Sequence, residues 1–448
     1  MTIQKAQQRY LQRQSCSGPW VIEGPITENY CGAVVIPALA EGETLWTTIR
    51  HLLVQKGGWP EDWLIVVVVN GREDSDPQQL AVNLRDLEQL RSGRFDPHPV
   101  AWVDATSTGR CLPRKRGGVG MARKLGCDLV LPHLGDAGLL VHLDADCRVE
   151  DTYLTCLQHY FADHSGGAVL PYCHPLPEGA PQRQAMIAYE LYLRCHRQGL
   201  AWAGSPYAYH AIGSTMVTTA EAYVKAGGMN CRQAGEDFYF LQQVAKTSGV
   251  GVIEGTVVWP SSRTSRRTPF GTGQVIAAGA EHGLQKLYHP QTYAIVHGWL
   301  QSVMSHPRET AQQLVQRAMM IDAGLQSFLL EEGFAERWQQ LCGTHDHTER
   351  RLRAFHEWFD GLKTLRCIHA LGQVYPVAEA IEQVPRLFEL WGWPVCSSID
   401  EALIQLRRRD LSWLAQGHPA FLLGQEFKAK VAGIRPADDI LLIDPSQG

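Results

Sequence analysis

The sequence predicts an α/β fold: a doubly wound, mostly parallel central sheet followed by a helical C-terminal region. Three observations carry that prediction. Short β-rich runs alternate with helix-patterned stretches from Gly32 onward, the pattern of βαβ units. Several runs are apolar throughout, as expected of strands covered by helices on both faces. Beyond about Pro290 strand signals nearly vanish and amphipathic helical patterns take over, as in Ala311 to Leu330 and Thr348 to Leu371.

The elements follow in order. Met1 to Gln14 is polar and helix-favouring and has no apolar core of a signal peptide, so it reads as a surface helix or frayed tail. The expected strands are Ala33 to Pro37, Leu64 to Asn70, Val100 to Asp104, Leu139 to Asp144, Ala168 to Tyr172 and Gly251 to Trp259. Pro260 to Gly273, rich in Ser, Arg, Gly and Thr, is expected to be a loop serving the α/β domain. This divides the chain into an N-terminal helical extension (1–29), an α/β domain (30–273) and a helical C-terminal region (274–448).

Composition narrows the function classes. Lys and Arg total 41 against 46 Asp and Glu, a formal charge of -5, so no general field recruits nucleic acid or an anionic membrane. The most apolar stretch, Leu64 to Val69, is far shorter than the roughly 20 residues that span a bilayer, so no transmembrane segment is expected. The 12 cysteines are scattered without a C-x-x-C pair, which fits a reducing cytoplasm better than a disulfide framework.

In doubly wound sheets ligands bind beyond the carboxyl ends of the strands, and here those ends are acidic: Glu41, Asn70 to Asp76, Asp104, then Asp144 with Asp146. The apolar run Leu139 to Leu143 delivers Asp144-Ala145-Asp146, two carboxylates one residue apart. Mg²⁺ and Mn²⁺ prefer carboxylate oxygens and complete their shells with phosphate and water, so such a pair is half of a metal–diphosphate site. An Asp turn that caps the next helix is the plainer explanation of an isolated D-x-D, but the strand before it favours the metal.

Three further groups complete the set. Glu236-Asp237 opens a helix whose apolar residues recur at Phe238, Leu241 and Val244. Acids there suit the helix dipole without any catalysis, and equally place Asp237 as a general base for an acceptor hydroxyl. The run Ser261 to Gly273, with Arg263, Arg266 and Arg267 beside a glycine-rich turn, is either a solvated basic loop or a phosphate clamp. Arg114 to Lys124 places glycines before a helix. It lacks P-loop spacing but offers Arg123 or the helix N-terminus to a donor phosphate. His345-Asp346-His347 near Cys342 has no second ligand pair and is read as a surface loop. His210, His282 and His289 are candidate third ligands to the metal.

Taken in order, these pieces resemble glycosyltransferase family 2 and its GT-A relatives. The likeness rests on Val34-Val35-Ile36-Pro37 with Glu41, on Val66 to Asp76, on Asp144-Ala145-Asp146 and on Glu236-Asp237, and covers roughly Tyr30 to Gly273. The resemblance implies a GT-A domain over 30–273 that uses Mn²⁺ or Mg²⁺ and a UDP- or GDP-linked sugar donor. It implies a nucleotide pocket from Pro37, Glu41 and Asn70, ribose and metal contacts from Asp144 and Asp146, and an acceptor base at Asp237, with Glu236 beside it. Arg123, Arg263 and Arg266 are then the expected diphosphate cations. Two departures leave the base open: Leu39-Ala40 stands where the family usually carries an aromatic and Asn, and Val69-Asn70-Gly71-Arg72 where it carries an Asp-Asp-Gly-Ser-like motif. The Gln-x-x-Arg-Trp signature of processive synthases is absent. A single inverting transfer to an acceptor hydroxyl is therefore expected; a nucleotidyltransferase and a non-catalytic nucleotide-sugar scaffold are the rivals.

Overall fold

The computed structural model describes residues 3–263 and 284–413, together with 273, 275, 276 and 279. Ten strands are described: β1 (Ile22–Glu23), β2 (Tyr30–Ala38), β3 (Trp63–Asn70), β4 (Val100–Ala105), β5 (Leu134–His142), β6 (Arg148–Val149), β7 (Gly167–Val169), β8 (Met216–Thr219), β9 (Val250–Val252) and β10 (Val258–Trp259). Eight of them form one sheet in the order β1-β4-β3-β2-β5-β8-β7-β9, and β6 and β10 make a two-stranded ribbon.

The sheet is mostly parallel, as the sequence predicts. β4, β3, β2 and β5 run parallel with β2 in the middle, so Val34 lies between Ile65 on one side and Val141 on the other. All eight residues of β3 are buried, because helices cover both faces and no alternating polar face is needed. The cores on the two faces are distinct. Val34, Ile36, Ile65, Val67 and Val141 point into one, and Val35, Val66, Val68 and Leu140 into the other.

Two expectations are corrected in detail. β8 was not foreseen: it inserts antiparallel between β5 and β7, and its four residues, Met-Val-Thr-Thr, are too few to show a period. The run Gly251 to Trp259 is not one strand but β9 and β10, which belong to different sheets.

The N-terminal helix Ile3–Arg13 lies on the protein surface but is anchored. Its Tyr10 is buried and donates to Asp128 Oδ1 at 2.7 Å. In the helical region each long pattern is broken by an aspartate. Asp322, with extended backbone, caps Ala323–Glu331 after Ala311–Ile321, and Asp360 caps Gly361–Leu371 after Thr348–Trp358. A side chain that takes the first free N–H groups starts a new helix while the apolar stripe continues.

The helix Ile399–Asp410 is tied to the long helix Ala180–Ala203 by buried charge. Arg407 donates to both Glu190 oxygens at 2.6 and 2.7 Å, and Arg194 joins Glu190 to Asp410 at 2.8 and 2.6 Å. All twelve cysteines are free, and among the described residues no helix is long and apolar enough to cross a membrane.

Candidate active site

At the carboxyl ends of β2, β3 and β5 a cavity of about 860 Å³ opens. Pro37, Glu41, Asn70, Arg123, Asp144, Asp146, Glu236, Asp237 and Arg263 all line it. Residues scattered over more than two hundred positions are thus brought to one place. Arg266 lies outside the described residues, as does His282. His210 is held elsewhere by Asp410, its Nε2 3.2 Å from Oδ2, and His289 caps the helix Pro290–Ser305, so neither lines the cavity.

The wall that carries Glu41 and Asn70 is braced by a buried asparagine that sequence reasoning missed. Asn83, on the helix Pro77–Arg91, accepts from Ala40 N at 2.8 Å and donates to Asn70 O and Thr106 Oγ1, each at 3.0 Å. One side chain therefore ties together the chain leaving β2, β3 and β4. Ala40 sits in the left-handed region at φ 53, a conformation a non-glycine residue holds only when its surroundings enforce it. That turn presents Glu41. Asn70 Oδ1 is buried at the cavity with no hydrogen-bond partner among the described residues.

Asp144 and Asp146 stand just beyond β5. The next helix starts at Tyr153 with Thr152 at its cap position, so neither aspartate is spent on capping. Their carboxylates and the Cys147 thiol lie within 4.8 Å of one another. Two carboxylate oxygens suit a hard divalent ion that keeps water and phosphate in its shell. The thiol does not: burial, with Asp144 and Asp146 beside it, holds Cys147 well above its ordinary value and so protonated. The donor set fits Mn²⁺ or Mg²⁺. Burial, reinforced by Glu41 and Asp144, also pushes the Asp146 carboxyl up to about 7 while Arg263 pulls it down.

Arg123 is the centre of the far wall. It is 2% exposed, its Nη2 donates to Asp144 Oδ1, and its Nε lies 3.3 Å from Glu236 Oε1. Burial opposes its charge, but Asp144, Glu236 and Asp237 outweigh burial and hold it above its ordinary value. Two glycines make room for this arrangement. A Cβ on Gly213 would lie 2.5 Å from Arg123 Nη2, and one on Gly120 would lie 2.7 Å from the carbonyls of Asn230 and Arg232. The helix Val119–Val130 can therefore rest directly on the loop that leads to Glu236. The sequence cluster around Arg123 hinted at a phosphate contact; its glycines also serve packing.

Glu236 and Asp237 open the helix Glu236–Thr247 behind Gly235, which has φ 66. Burial pushes the Glu236 carboxyl up to about 7, helped by Asp237 and opposed by Arg123. Burial also raises Asp237, against the hydrogen bond its Oδ1 accepts from Phe238 N at 2.7 Å. Glu236 can thus take up a proton near neutral pH, and the neighbouring Asp237 is shifted in the same direction.

Arg263 closes the cavity over Asp146. β10 pairs antiparallel with β6, placing Val258 opposite Val149 and Trp259 opposite Arg148. Because one residue separates Asp146 from β6 and three separate β10 from Arg263, that ribbon sets the arginine against the aspartate.

No protein-family model and no curated protein matches the chain. Among solved structures it is similar to residues 1-349 of TarS from S. aureus in complex with UDP-GlcNAc, at 14% identity, covering 85% of this chain and 88% of that one with a TM-score of 0.35. It is similar to the mannosyltransferase PcManGT from Pyrobaculum calidifontis in complex with GDP-Man and Mn²⁺, at 14% identity over 83% and 88%, TM-score 0.35. A third is glucosyl-3-phosphoglycerate synthase from Mycobacterium tuberculosis with Mn²⁺, UDP and glucosyl-3-phosphoglycerate, at 13% identity over 66% and 84%, TM-score 0.33.

Proposed function

We propose that the chain is a GT-A type glycosyltransferase that moves a sugar from a UDP- or GDP-linked donor to an acceptor hydroxyl. One observation carries this function: a pair of strand-end carboxylates, Asp144 and Asp146, and a helix-opening pair, Glu236 and Asp237, line the same cavity and are linked through the buried guanidinium of Arg123. Metal-ligand chemistry and base chemistry are therefore within one substrate's reach.

The step is a direct displacement. Asp237 takes the proton of the acceptor hydroxyl, the oxygen forms its bond to the anomeric carbon, and the bond from that carbon to the diphosphate oxygen breaks, its electron pair leaving with the diphosphate. Attack from the face opposite the leaving group inverts the anomeric centre. Asp144 and Asp146 would hold Mn²⁺ or Mg²⁺, which would supply positive charge to balance the departing diphosphate. Arg263 adds a guanidinium at the same end, where fixed donors act most strongly on developing charge. Arg123 keeps Asp144 and Glu236 apart in charge while holding them close in space. Pro37, Glu41 and Asn70 form the nucleotide wall, and the unpartnered Asn70 Oδ1 offers an acceptor to an N–H of the base.

The test is product analysis after incubation with a panel of nucleotide sugars and Mn²⁺. Free nucleoside diphosphate released from one donor supports the transferase. Pyrophosphate release in a parallel incubation with nucleoside triphosphates and sugar 1-phosphates identifies a nucleotidyltransferase, and binding without slow donor hydrolysis identifies a scaffold.

A further inference from the structure

Arg263 is engaged with both ends of the donor site. Its Nε donates to Asp146 Oδ2 at 3.0 Å, its Nη1 lies 3.4 Å from Thr44 Oγ1, and its Nη2 donates to Glu41. Asp146 is half of the carboxylate pair proposed to hold the metal, and Glu41 belongs to the nucleotide wall. A cation of the protein thus stands on Asp146, the carboxylate that a divalent ion held by Asp144 and Asp146 would share with it. With the transferase function above as its premise, we propose that Arg263 is a charge latch: in the donor-free protein it neutralises Asp146 and Glu41, and it yields Asp146 to a divalent cation when a nucleoside diphosphate arrives to take the guanidinium.

The physics is a competition between cations. A divalent ion on Asp146 would sit close to a guanidinium bonded to the same carboxylate, and like charges at that range repel strongly where water is scarce. A diphosphate removes the conflict, because its oxygens accept the planar fork of arginine in paired hydrogen bonds and can also complete the metal's shell. The latch is anchored but not trapped. The ribbon of β6 and β10 fixes where the arginine leaves the backbone, while its side chain is one-third exposed, at 33%, and can turn toward the cavity. Metal and nucleotide therefore bind with positive coupling, and by linkage each strengthens the other by the same factor.

The experiment is a Mn²⁺ titration followed by the electron paramagnetic resonance signal of the free ion, on wild type, Arg263→Gln and Arg263→Lys, each with and without UDP or GDP. Without nucleotide, Arg263→Gln is expected to bind Mn²⁺ about 10-fold more tightly than wild type, within the roughly 5- to 150-fold range of coupled sites. The gain that nucleotide brings should shrink in that variant by a similar factor. Arg263→Lys, which keeps the charge but loses the fork, should fall between the two and serves as the deciding arm if Arg263→Gln does not fold. If the variants bind Mn²⁺ alone no more tightly than wild type, while nucleotide still promotes binding in all three, the latch is wrong and the metal site stands. If none binds Mn²⁺ even with nucleotide, the transferase function falls and the latch with it.

Discussion

Arg123 Nε lies 3.3 Å from Glu236 Oε1, across 113 positions of sequence, and both side chains are buried. Breaking a buried ion pair by removing one partner strands the other charge, at a cost of about 3–5 kcal/mol. Asp144, the second partner, is 38% exposed, so solvent softens the loss and Arg123→Ala is expected near the low end, about 3 kcal/mol. Urea unfolding measures it. A change below about 1 kcal/mol, the worth of a surface pair, would show that Arg123 does not anchor the acidic wall.

The pH dependence of Glu236 has a definite sign. Its folded carboxyl sits at about 7 against an ordinary 4.5, so the folded state binds more protons than the unfolded one between those values. Its contribution to stability is complete below about pH 4.5 and lost as pH rises through 7. Half-buried His51 and His196, pushed down to about 4 by desolvation, act in the opposite sense over much of the same window, so the comparison must be against a variant. Glu236→Gln is expected to match wild type near pH 4.5 and to gain on it progressively toward pH 7 and above. A constant difference across the window would mean that the carboxyl is not raised.

Asp237→Asn removes the proposed base with little change in shape. Turnover should fall by about 10² to 10⁴, the usual contribution of a positioned base, while nucleotide binding in the presence of Mn²⁺ stays at the wild-type level. Steady-state rates with a binding isotherm check both halves. Wild-type turnover in Asp237→Asn would remove the base assignment.

Asn83→Ala severs three hydrogen bonds, two of them buried, and leaves Ala40 N and Asn70 O to find other partners. Each unsatisfied buried group costs about 1–3 kcal/mol, so a loss of about 3 kcal/mol is expected, together with weaker nucleotide binding because the turn carrying Glu41 loosens. Unchanged nucleotide affinity would show that the turn holds its shape without Asn83.

The parallel strands were legible because burial on both faces writes itself as a continuous apolar run, as in Leu64 to Val69, and the acids at their tips stand out against it. β8 was not legible, since its pairing partners lie more than forty residues away in β5 and β7 and four residues show no period. The breaks at Asp322 and Asp360 were hidden because the apolar stripe runs through them. Asn83 and Arg123 carry no local signal of their roles. Asn83 lies inside a helix, where the sequence shows a polar residue and not the three strand ends it meets. Arg123 lies among basic neighbours that suggested a phosphate contact, and only the fold shows Asp144 and Glu236 on either side of it.

The most direct measurement is a thermal-shift panel of nucleoside diphosphates with and without Mn²⁺, run on wild type and Asp146→Ala. A ligand that binds only the folded state at 100 times its dissociation constant stabilises by about 2.7 kcal/mol. One diphosphate should raise the wild-type melting temperature only when Mn²⁺ is present, and the shift should vanish in Asp146→Ala. A shift that persists undiminished without Mn²⁺, or in Asp146→Ala, would contradict a donor held through a cation at the end of β5.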